Sequence, residues 1–349
     1  MSYSVSHNIY MRRCFDLARL GAGKVSPNPM VGAVLVYANR IIGEGYHAKY
    51  GGAHAEVMTM ASVQEEDRHL IGQSRLYVSL EPCNIHGNTP PCTDLILKEK
   101  IPHLIIANSD QTPGVQGSGL DRLRAVGVKV EEGILRKEGF FISQLRNIFV
   151  EKKRPYVVLK YAQTADGFLA PKDRSSYWLT NSFCKTLVHK WRTETDAILV
   201  GSGTVRADNP ALTNRLYPGK QPLRVVLDRN GTLPTDLKLF DGHSPTLVFS
   251  EISQKSKDNI SFIEHDFGQK DWLKTLLHHL AKQKTAHLTV EGGAWLLEQF
   301  ISQGLWDEAR VFTSPHQWSE GIAAPKLGLN ASKKEYLLDD LLEVYYKGQ

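Results

Sequence analysis

Residues 51–57 read GGAHAEV and residues 77–92 read YVSLEPCNIHGNTPPC. Together they set one histidine, one glutamate and two cysteines in the pattern that decides the N-terminal fold. His54, Cys83 and Cys92 are three ligands of types zinc favours, and they leave a fourth tetrahedral position for water. A structural zinc site would recruit a fourth protein ligand, and none is obvious. Glu56, two residues after His54, suits proton transfer better than metal binding. Beside a zinc-activated water it takes a proton, then delivers it to a ring nitrogen and to departing ammonia. H-x-E followed by P-C and a second Cys is the zinc nucleobase-deaminase pattern, whose shorter form has C-x-x-C. Here Cys83 and Cys92 enclose the longer loop NIHGNTPP, and its prolines and glycine set a fixed path between the thiolates. Cys92 opens the following helix, where the N-terminal dipole favours a thiolate. Unrelated core cysteines and a surface histidine would explain any one of these residues, but not their conjunction. Cys14 and Cys184 read as ordinary buried helix cysteines.

Outward from this stretch, Tyr10, Met11, Cys14, Phe15, Leu17 and Ala18 recur at helical spacing and predict a core-facing helix. VGAVLV at 31–36 and RIIGEG at 40–45 predict two strands around the turn residues Ala38 and Asn39. A helix is expected from about Ala53, a strand over RLYVSL at 75–80 and a helix containing LILKEK at 95–100. HLIIAN at 103–108 and VKVEEG at 128–133 complete a strand–helix alternation typical of an α/β layer fold, closed by the helix ILRKEGFFISQLRNIF. The charged stretch EKKRP at 151–155 predicts a linker between domains at 1–150 and 156–349. A new α/β pattern then runs through YVVLKYA at 156–162, DAILVG at 196–201, LRVVLD at 223–228, TLVFS at 246–250, AHLTVEGG at 286–293 and EARVFTS at 308–314. No internal repeat is visible, so the two halves are expected to be different domains.

Composition narrows the function classes. The 349 residues exceed what one modest core needs, and 42% hydrophobic with 23% charged residues is ordinary globular composition. A net charge of +5, without a dense Lys/Arg block, gives no footprint for nucleic acid. No apolar run is long enough to predict a membrane span, and the N-terminal stretch lacks the apolar core of a signal peptide. Four cysteines are a poor fit to a disulfide-stapled secreted scaffold, so the expected compartment is the cytoplasm, with thiols available for metal.

No G-x-G-x-x-G follows a strand in the second half, so the standard dinucleotide fingerprint is missing. The informative glycines are Gly292 and Gly293 in TVEGGAWLLEQF, where a strand ends at Glu291 and turns into a helix. Bare amides at that helix start can hold a pyrophosphate, although many α/β loops carry a Gly-Gly turn. LKYAQTADGFLA at 159–170, SSYWLT at 175–180 and the donor-rich loop GSGTVRADNPALTNR at 201–215 add to it. Singly, Trp178 reads as core and Arg192 as a solvated helix residue.

Taken together, SPNPMVGAVLV, GEGYH, GGAHAEV and YVSLEPCNIHGNTPPC resemble the deaminase half of the bifunctional riboflavin-biosynthesis deaminase–reductases. The segments of the second half resemble their reductase half. The likeness spans roughly Ile9 to Tyr346. It implies a cytidine-deaminase-like three-layer α/β domain followed by a dihydrofolate-reductase-like domain. It implies one zinc per chain on His54, Cys83 and Cys92 with Glu56 as proton shuttle, and Asn28 as a pocket residue bonding the pyrimidine, with Gly32 allowing close backbone approach. The family pattern S-x-W-I-T appears as Ser176–Thr180. The resemblance assigns Ser176, Arg192, Leu212, Arg215 and Glu291 to the phosphoribosyl substrate. It assigns Ala162, Trp178, Thr204, Asp208 and Gly293 to NADPH, with Asp228 near the cofactor edge. Lys160 and Glu291 are the candidates for orienting or polarising the reacting sugar.

The deaminase half departs from the family pattern. Asn84 and Ile85 stand where relatives have Ser-His, Asn88 replaces a basic residue after the loop glycine, and D-P-N-P becomes Asp110-Gln111-Thr112-Pro113. These positions lie where the family holds phosphate and ribose, so Asn84, His86, Asn88 and Asp110 are the expected substrate contacts. The expected partners are phosphoribosylated pyrimidines and a second copy of the chain in a homodimer, with no nucleic acid or membrane. A rival reading is a zinc nucleoside or nucleic-acid base deaminase with an accessory binding domain, which requires a basic track that is not evident. A non-enzymatic zinc module would require a fourth ligand and would leave Glu56 without a purpose.

Overall fold

The computed structural model describes residues 3–86, 90–112 and 116–348. The chain divides into two compact units, Met1–Lys153 and Arg154–Gln349. In the first, the order is α1 (Tyr3–Arg19), β1 (Gly32–Tyr37), β2 (Arg40–Tyr46), α2 (Ala55–Ala61), β3 (Arg75–Leu80), α3 (Cys92–Lys98), β4 (His103–Asn108), α4 (Ser118–Ala125), β5 (Lys129–Glu131) and α5 (Arg136–Lys152). The sheet order is β2-β1-β3-β4-β5, with β1 antiparallel to both neighbours and β3, β4 and β5 parallel.

The three inner strands β1, β3 and β4 read as continuous apolar runs because both faces of the sheet are covered there. Ala33, Leu35, Leu76, Val78, Leu104 and Ile106 pack on one face with Ala55, Ile96 and Leu120. Val34, Val36, Tyr77, Ile105 and Ala107 pack on the other with Met11, Cys14, Phe15 and Ile142. The period-two alternation of a strand thus divides neighbouring residues between two cores. At the β1–β2 turn, Ala38 and Asn39 both have positive φ, 44° and 66°, the geometry that matches a two-residue hairpin to strand twist. Gly32 does permit a close approach, but the neighbour is α1: a Cβ there would lie 2.1 Å from the Cys14 carbonyl oxygen.

The second unit continues with β6 (Tyr156–Thr164), β7 (Phe168–Ala170), α6 (Ser182–Glu194), β8 (Ala197–Gly201), α7 (Ser202–Asp208), β9 (Leu223–Leu227), β10 (Thr246–Ser250), β11 (Ile260–Glu264), α8 (Trp272–Lys282), β12 (His287–Val290), α9 (Ala294–Ser302), β13 (Glu308–Ser314), β14 (Ile322–Ala323), β15 (Lys333–Leu337) and β16 (Asp340–Tyr346). Its nine-stranded sheet runs β11-β10-β9-β8-β12-β6-β13-β16-β15. The first seven in that order are parallel, and β16 and β15 are antiparallel additions. The chain steps outward from β8 to β11, then returns through β12 to lie between β8 and β6. That reversal is a topological switch point, where open α/β sheets bind ligands beyond the strand ends.

The stretch 151–155 is not a free linker. Glu151 and Lys152 finish α5, whereas Arg154 is buried and makes a bidentate pair with Asp307 at 2.6 and 2.7 Å. A run of local charge suggests solvent exposure, and the carboxylate that buries Arg154 lies far along the chain. Sequence patterning also passed over β11 and β15, whose KKEYL is mostly exposed edge strand with charged residues. No helix among the described residues is long and apolar enough to cross a membrane.

Candidate active sites

In the first unit, His54, in β-conformation (φ −74°, ψ 165°), is the N-cap of α2. Cys83 follows β3, and Cys92 is the first residue of α3. The loop between them is closed at its base, where Cys92 N donates to Cys83 Sγ at 3.3 Å and Thr93 N to the Cys83 carbonyl at 3.2 Å. His54 Nδ1 lies 3.3 Å from Cys92 Sγ and 3.4 Å from Cys83 Sγ. All three donor atoms fall within 4.8 Å of one another. Tetrahedral N/S coordination requires donor–donor edges of about 3.5 Å, so the triad can hold a metal ion with little adjustment. The Cys83 thiol is held well below its usual range, first by a hydrogen bond from Cys92 and then by His54 and the Cys92 amide.

Glu56, in the first turn of α2, is only 3% exposed. Burial pushes its carboxyl up, and the negative charge on Cys83 adds to the effect. A carboxylate that readily accepts a proton is thereby set beside the donor triad. Asn28 joins the same region through His47, a residue quoted in GEGYH but given no role by sequence reading. His47 Nδ1 donates to the Ala53 carbonyl at 2.9 Å, which leaves Nε2 to accept from Asn28 Nδ2 at 3.2 Å. The His47 and His54 rings meet edge to face at 5.4 Å. Burial holds His47 down toward its neutral form, which keeps Nε2 an acceptor.

The remaining expected contacts divide. Asn84 Oδ1 is engaged inside the fold by Thr93 Oγ1 at 2.9 Å and Arg122 Nη1 at 3.1 Å. Asp110 Oδ1 caps its own turn by accepting from Thr112 N at 2.7 Å. His86 is exposed, and Asn88 lies outside the described residues. Sequence reading missed Glu81, whose buried Oε2 accepts from the amides of Asp110 at 3.2 Å and Gly117 at 3.0 Å. It therefore shapes the loop after β4.

In the second unit, Glu291 leaves the end of β12 and takes a bidentate pair from α6, Arg192 Nε at 3.1 Å and Nη2 at 2.8 Å. Lys160 Nζ on β6 lies 3.8 Å from the same carboxylate. Burial alone would raise Glu291, but Arg192 and Lys160 overcome it and hold the carboxyl down at about 2. Arg192 is therefore a buried positioning group, its Nη1 also donating to the Thr213 carbonyl at 3.0 Å. Leu212 is buried with a positive φ of 51°, and Arg215 is exposed with Nη1 donating to Thr213 Oγ1 at 3.0 Å. The Arg215 amide is anchored on His189 Nδ1 at 2.9 Å.

Gly293 caps α9 and Gly201 caps α7, and neither helix start has a side-chain cap on its first amides. A Cβ at Gly293 would come 3.3 Å from Thr204 Oγ1, so two expected cofactor residues do adjoin. Bare amides from two helix starts fit a dinucleotide phosphate. Asp208 is exposed at the far end of α7, and Ala162 is half-buried on β6. Asp228 is buried, and its Oδ2 accepts from Leu233 N at 2.9 Å, a bond that holds its own loop. Ser176 is exposed, and Trp178 is 50% exposed under the Lys185 ammonium at 4.7 Å. Beside them Tyr177 meets Trp318 edge to face at 5.5 Å, in an open cleft of about 520 Å³ that sequence reading did not anticipate.

Fold and sites define a metal-dependent deaminase domain joined to a reductase domain. Residues 4–108 match the cytidine and deoxycytidylate deaminase zinc-binding region, and residues 155–317 match the RibD C-terminal domain. The riboflavin biosynthesis protein RibD of Aquifex aeolicus is 35% identical over 97% of each chain, and that of Bacillus amyloliquefaciens is 38% identical over 88% of this chain and 84% of its own. The chain belongs to the RibD family, the bifunctional deaminase–reductases of riboflavin biosynthesis. Among solved structures, the Thermotoga maritima diaminohydroxyphosphoribosylaminopyrimidine deaminase/5-amino-6-(5-phosphoribosylamino)uracil reductase superposes with a TM-score of 0.90, at 34% identity over 98% of this chain and 99% of that one. Acinetobacter baumannii RibD gives 0.88, at 30% identity over 99% and 100%.

Proposed function

We propose that the first domain converts 2,5-diamino-6-ribosylamino-4(3H)-pyrimidinone 5′-phosphate to 5-amino-6-(5-phosphoribosylamino)uracil, and that the second reduces this product with NADPH to the ribitylamino compound. The observation that carries the reading is the pairing, on one chain, of a buried Glu56 beside three metal donors with a mostly buried Lys160–Glu291–Arg192 cluster. The name of the Thermotoga relative supports the substrates.

One zinc ion on His54, Cys83 and Cys92 would supply the Lewis acidity that brings the pKa of a water toward neutrality. Asn28, aligned by His47, bonds the pyrimidine edge. Glu56 accepts one proton of the attacking water and gives it to the ring nitrogen, then takes the second from the resulting hydroxyl and gives it to the departing amine, so that water enters and ammonia leaves. In the second domain, bound NADPH would supply the hydride for C1′ of the open-chain, imine-like ribose, and a proton from solvent would complete the adjoining nitrogen. Glu291 stays ionised and, with Lys160, orients the sugar. Arg215, at the exposed rim, meets the phosphate bidentately. Thr204 and Gly293 hold the cofactor phosphates, and Trp178 lines the cofactor face.

The domain boundary of this reading falls between Lys153 and Arg154, and the working form is a homodimer, checked by light scattering. Purified protein is incubated with the diamino pyrimidine phosphate, with and without NADPH, and the products are weighed by mass spectrometry. Exchange of an amine for oxygen is expected without NADPH, and the addition of hydrogen only with it. Intact substrate under both conditions would overturn the proposal.

A further inference from the structure

Arg146 lies on α5 with its guanidinium between two segments of the deaminase site. Its Nη1 donates to the Pro27 carbonyl at 3.4 Å, beside Asn28, and its Nη2 to Thr112 Oγ1 at 3.3 Å, in the loop after β4. Both bonds are long, and the buried Nε has no partner. Among the described residues no carboxylate comes within ion-pair distance of it. The other deeply placed arginines all have one: Arg154 with Asp307, Arg192 with Glu291, Arg224 with Asp241 and Arg310 with Glu308. Burial pulls Arg146 below its ordinary range, with Asp110 opposing from a distance. A half-buried cation without a counterion is costly to keep unless an anion completes it.

The surroundings point the same way. Gly139, Ser143 and Arg146 share one face of α5, and Ser143 Oγ and Asn108 Nδ2 are further buried donors with no acceptor. The contact path from Arg146 through Pro27, Asn28 and His47 ends at the zinc-type ligand His54. The loop between Cys83 and Cys92 contains no lysine or arginine, so a permanent cation must come from elsewhere. Arg122 is the rival, but Asp94 already holds its guanidinium at 2.6 Å.

We propose that Arg146, with Thr112, is the anchor for the 5′-phosphate of the deaminase substrate in this chain. The inference rests on the deaminase reading above and adds the residue that selects the phosphorylated form. A guanidinium matches phosphate oxygens bidentately, and a neutral side chain in its place loses the charge-assisted part of the contact.

The test compares deamination of the phosphorylated substrate and of its phosphate-free riboside by the full-length chain. Arg146→Gln should raise KM for the phosphorylated compound by about 10- to 100-fold, with kcat, bound zinc and melting temperature close to the parent's, and should abolish the preference for phosphate. Arg146→Lys should restore part of that preference. A preference that survives in Arg146→Gln, or that disappears in Arg122→Gln instead, overturns the proposal. A second measurement needs no variant: ribose 5-phosphate should slow phenylglyoxal modification of the peptide containing Arg146 in the parent protein, and lack of protection would equally overturn it. A parent enzyme that deaminates neither compound would count against the deaminase reading, while the protection experiment would still decide the anion site.

Discussion

Glu56 and Glu291 are both buried carboxyl groups at the heart of a site, and their surroundings drive them in opposite directions. Around Glu56 desolvation is the largest influence, Cys83 adds to it, and His54 opposes it without prevailing, so the carboxyl is pushed up. Around Glu291 an arginine and a lysine converge, and the same desolvation is overcome. In the proposed mechanism the first group carries protons, whereas the second is a fixed anion that aligns other groups. Burial alone does not assign a role to a carboxylate; the sign of the neighbouring charge does.

The largest expected effect tests the carrier. Glu56→Gln keeps the shape and removes the acceptor, so deamination should fall by about 10²- to 10⁴-fold while metal content and reduction of supplied 5-amino-6-(5-phosphoribosylamino)uracil are retained. Loss of both activities from a folded variant would mean that the two sites are not independent. Next in size, Arg192→Met removes the principal partner of the fixed anion and should destabilise the second domain by about 3–5 kcal/mol, read by urea titration. A change below about 1 kcal/mol would show that Lys160 suffices to hold Glu291.

The pH dependence of stability sharpens the contrast. Glu291 has a folded pKa of about 2 against an ordinary value of 4.5. Its contribution, roughly 3 kcal/mol, is therefore fully present above the unfolded value and is lost as pH falls from about 4.5 toward 2. The difference in unfolding free energy between the parent and Glu291→Gln should shrink across that window, and a difference independent of pH would contradict the assignment. The smallest effect concerns alignment in the deaminase site. His47→Ala releases Asn28 and should raise the deamination KM by about tenfold, the size of one buried hydrogen bond, without altering reduction; an unchanged KM would separate Asn28 from the pyrimidine edge.

The deaminase site was nearly legible from local patterns. His54 and Glu56 are two residues apart, Cys83 and Cys92 bracket one short loop, and β1, β3 and β4 are contiguous apolar runs. Chemistry concentrated in short stretches leaves a readable spacing. The reductase site was less so, because Lys160, Arg192 and Glu291 come from three elements separated by whole strands and helices, and each alone resembles a surface or core residue. Asp228 shows the limit from the other side: its position at a strand end is visible in sequence, but the loop amide of Leu233 that occupies it is not.

By itself, the sequence determined the two-domain α/β plan, the metal-donor set and Glu56, since ligand type, hydrophobic period and turn residues are local properties. Only the tertiary structure decided what each buried charge faces. Arg154 left the linker for Asp307, Asn84 turned to Thr93 and Arg122, and Arg146 came to stand beside Thr112 and Pro27 without a carboxylate. Electrostatic partners act across space at a few ångströms, whatever their separation along the chain, and so the charge that completes or leaves open a site is settled only when the chain has folded.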